Sequence, residues 1–118
     1  MSLKVFSLAA ISLASMMASP AAAASPGLYL CQNWGFNNNP NFCYKYTVPW
    51  GRCTTITDRF PPGDRGVSSA GPDEHNWCTL YQNEGCTGPE LQLRWPGYAD
   101  LGQVGWNDRA KSFNCAFE

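Results

Sequence analysis

The sequence predicts a small all-β domain, a sandwich or a barrel, that disulfide bonds hold together. Apolar Leu91, Leu93 and Trp95 alternate with polar Gln92 and Arg94, which is the period of a half-buried strand. Clusters of Gly, Pro and Asn separate several other short strand candidates, and no segment after residue 24 has a helical period. Six cysteines, an even number, provide for three bridges.

Each strand candidate is a short run bounded by turn-forming residues. In chain order the candidates cover 28–31, 43–48, 53–57, 66–70, 78–81, 91–95 and 113–117. The alternation predicts that the Trp95 ring faces the core together with Leu91 and Leu93. The polar segment 70–76 is predicted to be a short linker between two halves of the domain.

Residues 1–24 have the features of a secretory signal peptide. Lys4 precedes a short apolar run, and the alanines at 22–24 provide a cleavage site before Ser25. The run is shorter than the roughly 20 residues that a membrane-spanning helix needs. We therefore expect a secreted, extracellular protein whose mature part, 25–118, is a single domain.

All six cysteines lie in this mature part, which is too small to be very stable on its hydrophobic core alone. In an oxidising compartment such cysteines form disulfides, and each bridge stabilises a domain by roughly 2–4 kcal/mol. Six cysteines allow many pairings, so the sequence leaves the connectivity open. The predicted disulfide residues are Cys31, Cys43, Cys53, Cys78, Cys86 and Cys115.

Composition argues against several classes of function. Without Lys4, seven basic residues remain against nine acidic ones, so the mature chain has a net charge of −2 and no basic patch for nucleic acid. The sequence lacks a C-x-x-C pair, and His75 is its one histidine, so the spacing of zinc ligands is missing. No nucleophile or carboxylate pair stands out either, and we expect a protein that is not an enzyme.

An internal repeat divides the domain into halves of about 27–71 and 76–118. The segment 30–36 aligns with 80–86 at an offset of 50 residues, and Gln-Asn-x-Gly occurs in both. Later in each half comes a tripeptide of the same three residues, Pro-Trp-Gly in the first half and Trp-Pro-Gly in the second. In both halves an Asp-Arg pair and then a Ser follow it. Each Gln-Asn-x-Gly predicts a hairpin bend, and the Asn-rich insert at 37–41 predicts a longer exposed loop.

Two motifs within these halves carry a family resemblance. Segment 81–88 has the Tyr81 and Gly88 of an aromatic-x-x-x-x-aromatic-x-Gly hairpin, with Cys86 at the second aromatic position, and the first copy keeps Phe36. A turn close to Asn/Asp-Asn/Asp-x-x-Ser/Thr-Ser follows in each half. The sequence thereby resembles the βγ-crystallin family, specifically the small secreted cysteine-rich proteins of fungi and their killer-toxin relatives. The resemblance implies a double Greek-key β-sandwich of βγ-crystallin type.

In the family that the sequence resembles, these turns bind calcium. Here they occupy 64–69 and 107–112, where Arg65 replaces an acidic or amide residue and Lys111 replaces a hydroxyl residue, so each turn gains a cation that repels Ca²⁺. We expect no cofactor beyond weak Ca²⁺ binding at degenerate sites, with Asp64, Ser68, Asn107 and Asp108 as the candidate ligands. The alternative is that these side chains, with Ser112, only cap and brace the turns.

The resemblance implies a non-enzymatic secreted effector or a killer-toxin-like antimicrobial factor that acts as a monomer by binding. Its extracellular target stays open among a cell-wall sugar, a membrane and a host protein. One alternative is a carbohydrate-binding module, because five tryptophans are many for so short a chain. Another is a protease inhibitor that presents Arg52 or Arg59. The candidate binding surface is the first bend, with Trp34, Asn37 and Asn38.

Overall fold

Seven β-strands and two short 3₁₀ turns make up the part of the chain that the computed structural model describes, residues 26–63 and 65–117. The strands are β1 (Leu28–Cys31), β2 (Cys43–Tyr46), β3 (Thr54–Thr55), β4 (Ser69–Pro72), β5 (Asn76–Asn83), β6 (Thr87–Arg94) and β7 (Ser112–Phe117). The 3₁₀ turns cover Trp34–Phe36 and Leu101–Val104. The predicted all-β class is confirmed, while the predicted signal peptide lies outside the described residues.

The strands form two antiparallel sheets that exchange chain segments. One sheet has the order β2-β1-β4 and the other the order β3-β7-β5-β6. Strand β3 belongs to the first half by sequence but pairs with β7 of the second half, through Thr54 with Phe113 and Thr55 with Ser112. In return, Tyr98 of the second half forms a bridge with Ala70 of β4. Each sheet is therefore completed by the other half, as in a double Greek key.

Equivalent hydrogen bonds recur in the two halves and follow the repeat in the sequence. The amide of Ser68 donates to the carbonyl of Cys31 at 2.8 Å, and the amide of Lys111 donates to the carbonyl of Tyr81 at 2.9 Å. Both acceptors lie at the ends of paired strands, 50 residues apart in the repeat. The turns that precede β4 and β7 therefore have the same place in each half.

The core lies between the two sheets and is apolar. Its largest fully buried side chains include Phe60, Phe113 and Ile56, and Leu28, Leu30, Leu80 and Leu93 contribute from the strands. Full burial of each such side chain stabilises the fold by about 1.5–3 kcal/mol. Within the described ranges, no helix is long and apolar enough to cross a membrane.

Three sequence predictions about the elements are wrong in detail. The strand predicted at 66–70 lies at Ser69–Pro72, and the polar linker predicted at 70–76 is mostly strand, because the small buried residues of β4 fit between β1 and the segment that contains Tyr98. The predicted inward orientation of Trp95 is also wrong, since its side chain is 56% exposed. Strand β6 ends at Arg94, so the alternation that predicts burial stops one residue before this ring.

The six cysteines form three disulfides, as the sequence predicts: Cys31–Cys43, Cys53–Cys86 and Cys78–Cys115. The first joins directly opposite residues of β1 and β2, and the third joins directly opposite residues of β5 and β7. The second joins the residue before β3 to the bend between β5 and β6, and so links the two halves. Together the bridges brace both sheets and their connection.

Candidate functional site

The candidate site surrounds the segment that connects β6 to the second 3₁₀ turn, residues 95–99, which we call the crossover. This segment leaves one sheet and reaches the other, where Tyr98 exchanges two backbone hydrogen bonds with Ala70, at 2.8 and 3.0 Å. Gly97 permits the close approach because its φ is 91° and a Cβ there would collide with the carbonyl oxygen of Ala70. The crossover is therefore fixed against β4.

The two most exposed tryptophans lie next to the crossover. Trp95 is its first residue and is 56% exposed, while Trp34 is 72% exposed. The neighbour of Trp34, Gly35, donates a backbone hydrogen bond to the carbonyl of Ala99 at 2.6 Å, which joins the first 3₁₀ turn to the end of the crossover. Large exposed aromatic rings are enriched at binding surfaces because they bury much area with few rotatable bonds.

A cleft of about 380 Å³ opens between the crossover and the strands β5 and β6, and we call it the crossover cleft. It is lined by Trp77, Gln92, Arg94, Gly97 and Tyr98. The guanidinium carbon of Arg94 lies 3.9 Å from the centroid of the Trp77 ring, which places the cation over the aromatic face. Such a contact is attractive, by about 0.5–1 kcal/mol at an exposed site, and holds the long arginine side chain in place.

The register of β5 and β6 explains why these side chains share one face. Trp77 lies directly opposite Arg94, and Gln92 has the same orientation as Arg94 because it is two residues away on the strand. The alternate residues, Cys78 and Leu93, are directly opposite each other and fully buried in the core. One face of this strand pair therefore packs inward, while the other presents aromatic and polar groups to solvent.

The loop after Trp34 contains the two asparagines that the sequence analysis proposes for binding. The side-chain oxygen of Asn37 accepts a hydrogen bond from the amide of Asn39 at 3.0 Å, and that of Asn38 accepts one from the amide of Cys43 at 2.8 Å. Both asparagines are exposed and brace the loop that follows the first 3₁₀ turn. A direct contact of Trp34, Asn37 or Asn38 with a target stays a prediction.

The remaining tryptophans have partners within the protein. The indole nitrogen of Trp50 donates to the side-chain oxygen of Asn76 at 3.0 Å, and its ring meets Phe117 edge to face with centroids 5.5 Å apart. Trp106 is 6% exposed, with the guanidinium carbon of Arg109 4.6 Å from its ring centroid. These contacts indicate a structural role for both rings.

The two predicted calcium turns lie against each other. The amide of Asp108 donates to the carbonyl of Val67 at 2.9 Å, and a Cβ on Gly66 would collide with the backbone and side chain of Asp108. Asn107 donates its side-chain amide to the Asp108 carboxylate at 3.0 Å. Ser68 is buried near the end of the first turn, and Asp64 lies outside the described residues.

The donor set of these turns does not suit tight calcium binding. By sequence, the turns at 64–69 and 107–112 contain two carboxylates, Asp64 and Asp108, beside three cations, Arg65, Arg109 and Lys111. Calcium takes six to eight oxygen ligands and favours carboxylates, so two turns with more cations than carboxylates make a poor site. Weak calcium binding through Asp64, Ser68, Asn107 and Asp108 stays a prediction.

The described residues contain no metal-binding cluster, and their one histidine is not among the residues that line the crossover cleft. Within 26–63 and 65–117, no three His, Cys, Asp or Glu side chains come close enough to hold a metal ion. His75 lies at a bend with a positive φ of 67°, and its ring is 6.4 Å from that of Phe117. The described residues that line the crossover cleft include no carboxylate and no histidine.

The two arginines proposed for protease inhibition have different surroundings. The guanidinium carbon of Arg59 lies 3.6 Å from the ring centroid of Tyr44, so this side chain is held flat against β2. Arg52 is exposed and next to the bridged Cys53. Protease inhibition stays a prediction.

Comparison with known proteins identifies the fold. No family model matches the chain, and no curated protein matches it. A structure solved in work on the evolution of the eye lens βγ-crystallin domain fold superimposes with a TM-score of 0.63 at 18% identity, covering 80% of this chain and 89% of that one. A βγ-crystallin domain from Flavobacterium johnsoniae gives 0.58 at 13% identity, over 77% and 94% of the two chains.

A βγ-crystallin from Ciona intestinalis is also similar, with a TM-score of 0.53 at 20% identity, over 75% of this chain and 96% of that one. These similarities, together with the two antiparallel sheets and the exchanged segments, confirm the predicted double Greek-key β-sandwich of βγ-crystallin type. At such low identity, the similarity establishes the fold alone.

The sequence patterns do not predict that the residues of the crossover cleft lie together. The alternation over 91–95 does place Gln92 and Arg94 on the face opposite Leu93. However, neither the pairing of Trp77 with Arg94 nor the return of Tyr98 to β4 follows from a sequence pattern. Both depend on the register between strands and on the strand exchange.

Proposed function

We propose that this chain is a secreted, non-enzymatic, small cysteine-rich protein that acts outside the cell as an effector or an antimicrobial, killer-toxin-like factor. It acts by binding a component of a cell wall. Three disulfides support a location outside the cell, since such bonds persist in oxidising compartments and are rare in the cytosol. The βγ-crystallin fold is compatible with a binding protein that catalyses no reaction.

The observation that carries this proposal is the placement of Trp34 and Trp95. Both rings are more than half exposed, and both border the crossover, which hydrogen bonds hold between the two sheets. Leaving two indole rings in water forgoes the stabilisation that their burial would give, so a surface that keeps them exposed is suited to a partner. Rigid presentation also lowers the entropy lost on binding.

The test is sedimentation of the purified mature protein with insoluble cell-wall material from fungi, plants and bacteria. We expect the protein to sediment with at least one of these preparations, and Trp34→Ala with Trp95→Ala to lower the bound fraction about tenfold, as loss of central aromatic contacts does elsewhere. Tyr44→Ala is the matched control, because Tyr44 is an exposed aromatic on β2, at the opposite edge of the sheet that Tyr98 completes.

The same protein is then applied to living cells of the type whose wall it binds, and growth or cell death is scored. Activity that the double variant loses and Tyr44→Ala keeps supports an effector or antimicrobial role through this surface. Failure to sediment with every wall preparation contradicts the proposal. Binding to vesicles or to a single host protein instead of a wall would assign a different target. Inhibition of a trypsin-like protease would favour protease inhibition as the function.

A further inference from the structure

We infer that the crossover cleft binds a sugar ring of a neutral cell-wall polysaccharide. The inference rests on the proposed function and names the ligand class and the site that the function would use. Its observations are the lining of the cleft, its size, the charge of the mature chain and the exposed tryptophan that follows Arg94 in the chain.

The lining combines the two kinds of surface that a sugar ring needs. A pyranose has apolar C–H faces and a belt of hydroxyl groups around its edge. Trp77 and Tyr98 supply aromatic surface, while Gln92 supplies an amide that both donates and accepts hydrogen bonds. Arg94 lies over the Trp77 ring, with its guanidinium carbon 3.9 Å from the ring centroid. Apolar lining with a few directed polar groups is typical of ligand sites.

The size of the cleft suits a small unit of a larger ligand. Its volume of about 380 Å³ is near the lower end of the roughly 300–1,000 Å³ that ligand sites occupy. Trp95 follows Arg94 directly in the chain, is 56% exposed and is not one of the five residues that line the cleft. A polymer with one ring in the cleft is expected to meet Trp95 with another.

Charge favours a neutral ligand over a polyanion. The mature chain has seven basic and nine acidic residues, so its net charge of −2 repels an acidic polysaccharide at long range. Among the described residues, Arg94 is the one charged side chain that lines the cleft, and its stacking on Trp77 makes it part of a flat surface.

Binding without cleavage is the expected outcome in this cleft. Glycoside hydrolysis generally uses a pair of carboxylates that flank the scissile bond. The five lining residues include no Asp or Glu. We therefore expect a bound polysaccharide to be released at its original length.

The experiment measures binding of the mature protein to purified chitin, β-1,3-glucan and cellulose, with polygalacturonate as the anionic comparison. We expect one of the three neutral polymers to bind, without production of shorter oligosaccharides. The choice among them distinguishes a fungal wall from a plant wall as the source.

Gln92→Ala and Trp95→Ala test the site. Both side chains are exposed, so neither variant should unfold the domain, and each should lower the affinity about tenfold through loss of a direct contact. Trp77→Phe, which keeps an aromatic ring between Arg94 and the sheet, should weaken binding less. Tyr44→Ala should bind as the parent does, and thermal unfolding confirms that each variant is folded.

Four outcomes separate the inference from the function on which it rests. Sedimentation with whole walls but with none of the pure neutral polymers would leave the proposed function standing and overturn this inference. Binding of a neutral polymer that neither Gln92→Ala nor Trp95→Ala weakens would move the site elsewhere and also overturn it, as would binding to polygalacturonate alone. If the protein binds neither whole walls nor any pure polymer, the proposed function and this inference are both overturned.

Discussion

At the scale of single residues, two buried serine hydroxyl groups join separate segments of the chain by hydrogen bonds. Ser112 is fully buried, accepts a hydrogen bond from the amide of Cys86 at 3.0 Å and donates one to the carbonyl of Asn83 at 2.5 Å. Ser69 makes the same pair of contacts in the first half, with Phe36 and Asn33. Each serine thus joins the bend of its half to β4 or β7.

We predict that Ser112→Ala lowers the free energy of unfolding by about 1–3 kcal/mol, because it leaves an amide and a carbonyl without their partner. Denaturant unfolding measures the change. Ser68→Ala is the matched control and should cost less, since no side-chain hydrogen bond of Ser68 occurs among the described residues. Equal losses of stability for the two variants would contradict a stabilising role of the two Ser112 hydrogen bonds.

Tyr46 is a buried group whose surroundings oppose its charged form. Its side chain is 9% exposed, and its hydroxyl has no hydrogen-bond partner in the described part of the chain. Burial, reinforced by the negative charge of Asp58, raises the pKa of Tyr46 from 10.0 to about 12. The folded state then holds this proton more tightly than the unfolded state does.

Stability should therefore fall as the pH rises from about 10 to about 12, by at most about 1.4 kcal/mol per pH unit for this one proton. Tyr46→Phe should remove that slope, and at pH 7 it should be as stable as the parent or more so, because it deletes an unpaired buried hydroxyl. Unfolding by urea across this pH range is the measurement. Tyr44→Phe, which deletes a neighbouring exposed phenol, should retain most of the slope, because burial is the largest cause and Tyr44 the smallest. Loss of the slope in both variants would contradict the assignment.

The crossover is the element on which the architecture depends. It brings Tyr98 to β4 in one direction, as β3 reaches β7 in the other, so neither sheet is complete within its own half. The bridge between Cys53 and Cys86 lies beside the second of these exchanges. The two halves are thus expected to unfold together.

Gly97→Ala tests the crossover, because a Cβ there meets the carbonyl of Ala70 and the α-carbon of Gly71. We predict a loss of more than about 3 kcal/mol, against about 1 kcal/mol for Gly35→Ala, since Gly35 has a similar positive φ but open space around it. Thermal or urea unfolding of the two variants compares them. Similar losses would mean that the crossover does not approach β4 so closely.

Sequence patterns predict those elements that have local causes. Strand β1 follows from a short run bounded by turn-forming residues, and the bends after Asn33 and Asn83 follow from the Gln-Asn-x-Gly segments. The position of β4 does not, because its residues 69–72 are small and include Gly71 and Pro72, which by themselves indicate a loop. They form a strand because β1 and Tyr98 pair with them from both sides.

For the whole molecule, the sequence predicts the architecture better than the site. The repeat and the even cysteine number lead to two halves and three bridges, and the structure supplies the pairing that six cysteines alone leave open. The exposed ring of Trp34 fits its predicted place at a bend. In contrast, the crossover cleft combines β5, β6 and the crossover, so only the folded chain brings Trp77, Arg94 and Tyr98 together.

Calcium should have little effect on the whole protein. We predict that 1 mM Ca²⁺ adds less than about 0.4 kcal/mol to the free energy of unfolding, the value expected for a site half-saturated at that concentration. Thermal unfolding with Ca²⁺, and with Mg²⁺ as control, measures this. A rise of several degrees with Ca²⁺ alone would show that Arg65 and Lys111 leave room for a site at the two turns.

Binding at the crossover is the central claim, and nuclear magnetic resonance of the ¹⁵N-labelled mature protein tests it most directly. Soluble oligosaccharides from chitin, β-1,3-glucan and cellulose are titrated in turn, and the backbone and indole N–H signals are followed. We predict that one of them shifts the signals of Trp77, of 92–99 and of the adjoining turn at Trp34–Phe36, and leaves Tyr44 on β2 unchanged. Shifts confined to 107–112, or no shift with any of the three, would contradict the account.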